Sequence, residues 1–122
     1  MHEMSLALRV IEIAESEAQK ASATTVTAIE LEVGQLAGVM AEALTFCLEA
    51  AARGTMAETA EIILIATPGT GNCLACQRQV SVTEFPAQCP YCQGFGVTIL
   101  NGTELKIRSI SIDDNHGRTS HV

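Results

Sequence analysis

Four of the five cysteines fall into two Cys-x2-Cys pairs, Cys73/Cys76 and Cys89/Cys92, separated by twelve residues. A two-residue gap lets each pair close into a tight knuckle with both sulfurs facing one point. The intervening stretch is long enough to fold back and bring the knuckles together. Four thiolates at tetrahedral corners suit zinc(II), which has no redox chemistry and no directional d-electron preference. All four coordination positions would then be filled by protein, leaving none for a substrate, so such a site is structural. The competing readings are two disulfides or a redox-active pair. Cysteines in a chain read as cytoplasmic favour metal over disulfides, and a thioredoxin-like motif needs its pair to open a helix in a βαβ context, which neither pair does. Pro90 stiffens the second knuckle, and Gly94 is placed to relieve crowding after it. Arg78 and Glu84 are the only charged side chains from Gly71 to Asn101. Metal binding, worth about 10–16 kcal/mol in small zinc peptides, is what can hold such a segment together.

The second candidate for chemistry is the chain start, Met1-His2-Glu3. The α-amine, the His2 imidazole and the amide nitrogens of His2 and Glu3 can converge on one ion. A planar nitrogen-rich set favours nickel(II) or copper(II), and Glu3 adds a carboxylate. A terminal histidine equally fits a simply solvated side chain. His116 and His121 lie in a polar tail expected to be flexible. Cys47 lies between Leu44 and Leu48 and is expected to be a core thiol rather than a ligand.

The elements that position these residues follow from periodicity. Met4, Leu8, Ile11 and Ala14, widened by Leu6, Val10 and Ile13, predict a helix over 4–20. Thr27, Ile29, Leu31 and Val33 alternate with Ala28, Glu30 and Glu32 in a strand, and Gly34 and Gly38 bracket a loop. A second helix runs over 41–53, with Gly54 as its stop. Glu61–Ala66 is an apolar strand, Pro68–Asn72 a linker, and Leu105–Ile112 a last strand. Its inward parity changes between Ile107 and Ile110, which predicts a bulge near Arg108-Ser109. The fold class is therefore α+β: a three-stranded sheet packed with two helices, and a zinc-ribbon subdomain inserted before the last strand. Residues 1–69 form the body, completed by a strand at 103–113, with the ribbon at 70–100 and a flexible tail at 114–122.

Composition bounds the function classes. The 122 residues are 48% hydrophobic and 17% charged, which fits a folded domain rather than a disordered chain. No apolar run approaches the ~18 residues of a membrane helix. The start lacks a basic signal-peptide region, so a cytoplasmic protein without membrane association is expected. The net charge of -7 opposes nucleic-acid binding, the main rival role for a zinc ribbon, because a basic footprint is missing. A non-enzymatic role is expected: Pro68-Gly69-Thr70-Gly71-Asn72 lacks the Gly-Lys-Ser/Thr of a phosphate loop, and no nucleophile has a histidine nearby in sequence.

The whole pattern resembles the HypA/HybF family of nickel metallochaperones for hydrogenase maturation. The resemblance rests on Met1-His2-Glu3-Met4-Ser5-Leu6, Leu31-Glu32-Val33-Gly34-Gln35-Leu36, Phe46-Cys47-Leu48-Glu49, Arg53-Gly54-Thr55, both knuckles, and Leu105-Lys106-Ile107-Arg108-Ser109-Ile110. It implies a nickel(II) cargo site at His2, with Glu3 and the Met1 amine beside it, and structural zinc(II) on Cys73, Cys76, Cys89 and Cys92. It also implies a partner GTPase of hydrogenase maturation and a [NiFe]-hydrogenase large-subunit precursor as recipient, with urease served by some relatives. The sequence leaves homo-oligomers open. Met40 departs from the pattern, since many relatives carry an acidic residue there.

Overall fold

The computed structural model describes residues 3–84, 86–114 and 119–121. Helix α1 spans Glu3–Lys20, with Glu3 in its first turn and Lys20 in its last, each complementing the helix dipole. Its buried line is Ala7, Val10, Ile11, Ala14 and Ala18. Met4 and Leu8, expected in that line, are exposed instead. Alanine at three of the five buried positions lets a neighbour approach closely along that line, which leaves Met4 and Leu8 outside the contact. Helix α2, Ala41–Ala52, packs on α1 and buries Leu44, Leu48 and Ala52 at four-residue spacing. Cys47 is half-buried beside them. The helix stops at Gly54, whose φ of 74° few other residues adopt readily.

The turn after α2 is stitched on both sides. The Met56 N–H donates to Glu15 Oε2 at 3.2 Å, and the Met56 carbonyl accepts from the Val26 N–H at 2.8 Å. α1, the turn and strand β1 (Ala23–Gly34) are thereby joined. Strand β1 carries Val26, Ile29 and Leu31, all fully buried.

The strands of the body are β1, β2 (Glu61–Thr67), β6 (Leu105–Asp114) and β7 (Thr119–His121), in the order β2-β1-β6-β7. The three expected strands are present, with the first and last adjacent. Thr24 Oγ1 donates to the Asp113 carbonyl at one end of that pair, and the Gly34 N–H to the Glu104 carbonyl at the other, so the two run antiparallel. β7 is an addition: inside the tail expected to be flexible, it pairs antiparallel with β6, Ser111 opposite His121 and Asp113 opposite Thr119. His116 lies outside the described residues.

A second sheet holds β3 (Thr70–Cys73), β4 (Arg78–Ser81) and β5 (Val97–Asn101), ordered β4-β3-β5. The fold is α+β with an inserted four-cysteine ribbon. The chain divides into two compact units. One comprises Met1–Leu31, Val39–Ile65 and Lys106–Val122; the other comprises Glu32–Gly38 and Ala66–Leu105. The second therefore recruits the loop after β1, which the sequence boundary at 69/70 leaves with the body. Backbone contacts explain this. Within that unit, the Leu36 N–H donates to the Gly102 carbonyl and the Gln35 N–H to Thr67. A Cβ on Gly34 would lie 2.2 Å from the Gly102 oxygen, and one on Gly69 2.2 Å from the Val82 oxygen. Glycine at both positions permits these backbones to touch.

Candidate metal centre

The two knuckles are built alike. Cys73 ends β3, and its carbonyl accepts from the Gln77 N–H at 2.7 Å; the Cys89 carbonyl accepts from the Gln93 N–H at 2.8 Å. Each glutamine directly follows the second cysteine of its pair, and both are left-handed, with φ of 57° and 62°. The left-handed residue after the second pair is Gln93; Gly94 follows it, where an added Cβ would lie 3.5 Å from Cys92 Sγ. Glutamine carries the cost of a left-handed backbone because each knuckle must turn at that point for its two sulfurs to converge. The Gln88 side chain steadies the second turn by donating to the Gln93 carbonyl.

This convergence places all four sulfurs within 4.8 Å of one another. Cys73 Sγ lies 3.7 Å from Cys92 Sγ, and Cys89 Sγ lies 4.0 Å from Cys76 Sγ. A tetrahedron with metal–sulfur bonds near 2.3 Å has edges of about 3.8 Å, so the donor set and its spacing fit zinc. None of the four is in a disulfide. Cys73 and Cys89 are fully buried and form the unit's core with Val80, Val82 and Ala87, flanked by Leu36, Cys76, Val97 and Ile99.

The thiols are electrostatically unequal. Backbone N–H groups of Cys92 and Tyr91 stabilise the Cys89 thiolate and bring its pKa down to about 7, against opposing burial. Cys76 is pushed up to about 12, chiefly by its hydrogen bond to Cys92 and then by burial. One sulfur is thus ready to meet a cation near neutral pH, while another gives up its proton only to a strong competitor. Arg78 stacks 4.6 Å from the centroid of Tyr91. This ring contact joins the two knuckles and engages the one basic side chain of the ribbon.

At the other candidate site, Met1 and His2 lie outside the described residues. Glu3 is half-buried at the start of α1, and its Oε2 accepts from the Met40 N–H at 3.4 Å. Met40 caps α2 with its backbone alone, without a side-chain hydrogen bond. Its neighbourhood with Glu3 was not readable from periodicity; only the departure from the family pattern singled the position out. Among the described residues, the four cysteines are the group that could hold a metal ion. No described helix is long and apolar enough to cross a membrane.

Comparison with known proteins covers nearly the whole chain. The profile described as hydrogenase/urease nickel incorporation, metallochaperone, hypA matches residues 1–112. The hydrogenase maturation factor HypA of Chlorobaculum tepidum is 46% identical over 113 residues, spanning 93% of this chain and all of that one. The corresponding factor of Albidiferax ferrireducens is 39% identical over the same coverage. The solution structure of the nickel metallochaperone HypA from Helicobacter pylori superposes with a TM-score of 0.63 at 19% identity, over 90% of this chain and 96% of that one, a likeness of fold.

Proposed function

This chain belongs to the HypA family of hydrogenase/urease nickel-incorporation metallochaperones, and we propose that it binds nickel(II) at its N-terminus and delivers it to a [NiFe]-hydrogenase large-subunit precursor. In this reading the Met1 amine, the His2 imidazole and nearby amide nitrogens hold the ion, with Glu3 beside them. A GTPase of hydrogenase maturation acts in the same step, in the cytoplasm. Cys73, Cys76, Cys89 and Cys92 hold zinc(II) as a structural ion.

The observation that carries the reading is the closed sulfur cluster. Four protein donors at tetrahedral spacing leave no position for exchange, so a transported ion needs a different site. A chain terminus suits that task because its ligands can be replaced one at a time. Glu3 supports it further: its hydrogen bond to Met40 fixes the third residue against α2 and so anchors the base of the proposed site.

The test is a nickel titration of zinc-loaded protein with its native N-terminus, beside His2→Ala and an N-terminally extended form. Both variants should lose nickel affinity at least tenfold while keeping their zinc. Unchanged affinity in both would remove the N-terminal site.

A further inference from the structure

Of the four ribbon thiols, Cys92 is the exposed one; Cys76 is half-buried, and Cys73 and Cys89 are fully buried. Gly94 contributes to that exposure. A Cβ built on it would lie 3.5 Å from Cys92 Sγ, an ordinary van der Waals contact, and no other described residue beyond its chain neighbours comes within 4 Å. Its backbone lies outside the left-handed region, and its carbonyl is held by the Cys89 N–H at 2.9 Å. Neither conformation nor crowding therefore demands glycine at this position. The missing side chain leaves one flank of the Cys92 sulfur uncovered.

A second sulfur stands ready beside it. Cys92 Sγ is 3.7 Å from Cys73 Sγ of the other knuckle. Backbone bonds hold the two segments side by side: the Leu74 N–H donates to the Gly96 carbonyl at 3.0 Å, and Cys73 pairs with Val97 in the ladder between β3 and β5. Closing the sulfur gap to the ~2.05 Å of a disulfide takes a movement of about 1.7 Å. An accessible thiolate next to a resolving thiol is the arrangement of a redox-sensing cysteine, and a metal-coordinating thiol is held deprotonated.

We propose that the ribbon is an oxidant-sensitive switch: a hydroperoxide oxidises Cys92, Cys73 closes a disulfide onto it, and the zinc is released. This switch presupposes the structural zinc proposed above. The Cys92 thiolate attacks one peroxide oxygen and the O–O bond breaks. Cys92 becomes a sulfenic acid, oxidised by two electrons, while the hydroperoxide is reduced to its alcohol (water, when the oxidant is hydrogen peroxide). The Cys73 thiolate then attacks the Cys92 sulfur and hydroxide leaves. In sum, two thiolates, one hydroperoxide and two protons from solvent give one disulfide, one alcohol and one water. Only Cys76 and Cys89 remain as donors, half of the tetrahedral set. A bond between knuckles, unlike one within a knuckle, keeps the two tied together once the ion has gone. Reduction by a thiol then restores a site able to take zinc again.

Hydrogen peroxide added to the full zinc-loaded chain tests this, with zinc release followed by a chromogenic chelator and disulfides located by peptide mass mapping. The first disulfide should be Cys73–Cys92, appearing together with free zinc, and dithiothreitol should reverse it. Gly94→Ala sets a methyl group against the Cys92 sulfur and should slow zinc release roughly threefold or more, with zinc content and affinity unchanged. Oxidation of Cys47, which lies in the other unit, should keep its rate in that variant and so reports that the oxidant itself is unaltered. The disulfide is mapped on the unaltered chain, so that arm decides even if Gly94→Ala disturbs the ribbon. A first disulfide within one knuckle, zinc released as fast from folded Gly94→Ala as from the parent, or zinc held through millimolar peroxide overturns the proposal. A chain that binds no zinc overturns the zinc reading and the switch with it. Nickel takes no part in the measurement, so its outcome is independent of the cargo reading.

Discussion

The Glu3 carboxylate accepts a hydrogen bond from the Met40 backbone N–H at 3.4 Å, tying the first turn of α1 to the first turn of α2. Met40 has no capping oxygen of its own, so Glu3 serves α2 as a cap supplied by a different helix. It also places negative charge at the positive end of the α2 dipole. Glu3→Ala should cost about 0.5–1 kcal/mol, the range of an exposed cap, read from urea unfolding followed by the helical signal. Glu3→Gln, which keeps an acceptor but no charge, should fall between. Stability unchanged in both variants would mean the contact contributes nothing in solution.

Zinc removal should act on one unit and spare the other. Cys73 and Cys89 are two of the five residues in the buried core of the ribbon unit, so losing the ion places unpaired thiols at its centre. Chelation under reducing conditions should speed amide exchange in Thr70–Cys73, Arg78–Ser81 and Val97–Asn101, while α1 and α2 keep their protection. Cys73→Ser and Cys89→Ser should be more damaging than Cys92→Ser, because Cys92 is exposed. Equal exchange rates with and without the ion would show that the ribbon stands on packing alone.

Zinc retention should depend on pH in a definite direction. Cys89 is depressed from 9.0 to about 7 in the folded chain. For a depressed acid, the stabilisation is complete above the unfolded pKa and is lost as pH falls through the folded one. Cys76, raised to about 12, stays protonated throughout this range unless a cation displaces its proton. Zinc affinity of the metal-free chain should therefore fall more steeply with decreasing pH below about 7, where Cys89 too must give up a proton, than between 7 and 9. A slope unchanged from pH 6 to 9 in competition titrations would contradict this order of protonation.

Two glycines should respond to alanine for different reasons. At Gly34 the new Cβ would lie 2.2 Å from the Gly102 oxygen and 2.9 Å from the Glu104 nitrogen, both backbone atoms that no rotamer change can move. Gly34→Ala should cost at least ~2 kcal/mol and disturb the ribbon unit. At Gly54 nothing lies within 4 Å, but φ is 74°, so Gly54→Ala should cost only about 1 kcal/mol of backbone strain. Thermal unfolding of both variants separates steric collision from conformational preference; a reversed order would refute the assignment.

Local patterns were enough to read much of this protein from its sequence. A Cys-x2-Cys knuckle is made within five residues, so Cys73, Cys76, Cys89 and Cys92 announced a tetrahedral sulfur site before any coordinates. Helical and strand periodicities likewise located α1, α2, β1, β2 and β6, because each repeat depends on neighbours a few positions away. Tertiary structure decided the rest. Which side of α1 is buried depended on what the fold packs along Ala7, Val10, Ile11, Ala14 and Ala18, leaving Met4 and Leu8 exposed against expectation. The Glu3–Met40 bond spans 37 positions, and the recruitment of Glu32–Gly38 to the ribbon unit rests on backbone contacts across Gly34, Gly69 and Gly102. No residue type encodes such meetings by itself. The apolar run of β2 was equally plain in sequence, but a strand is an edge only by its place in the sheet. That place, set by which strands find each other, turned an ordinary core-like segment into a surface.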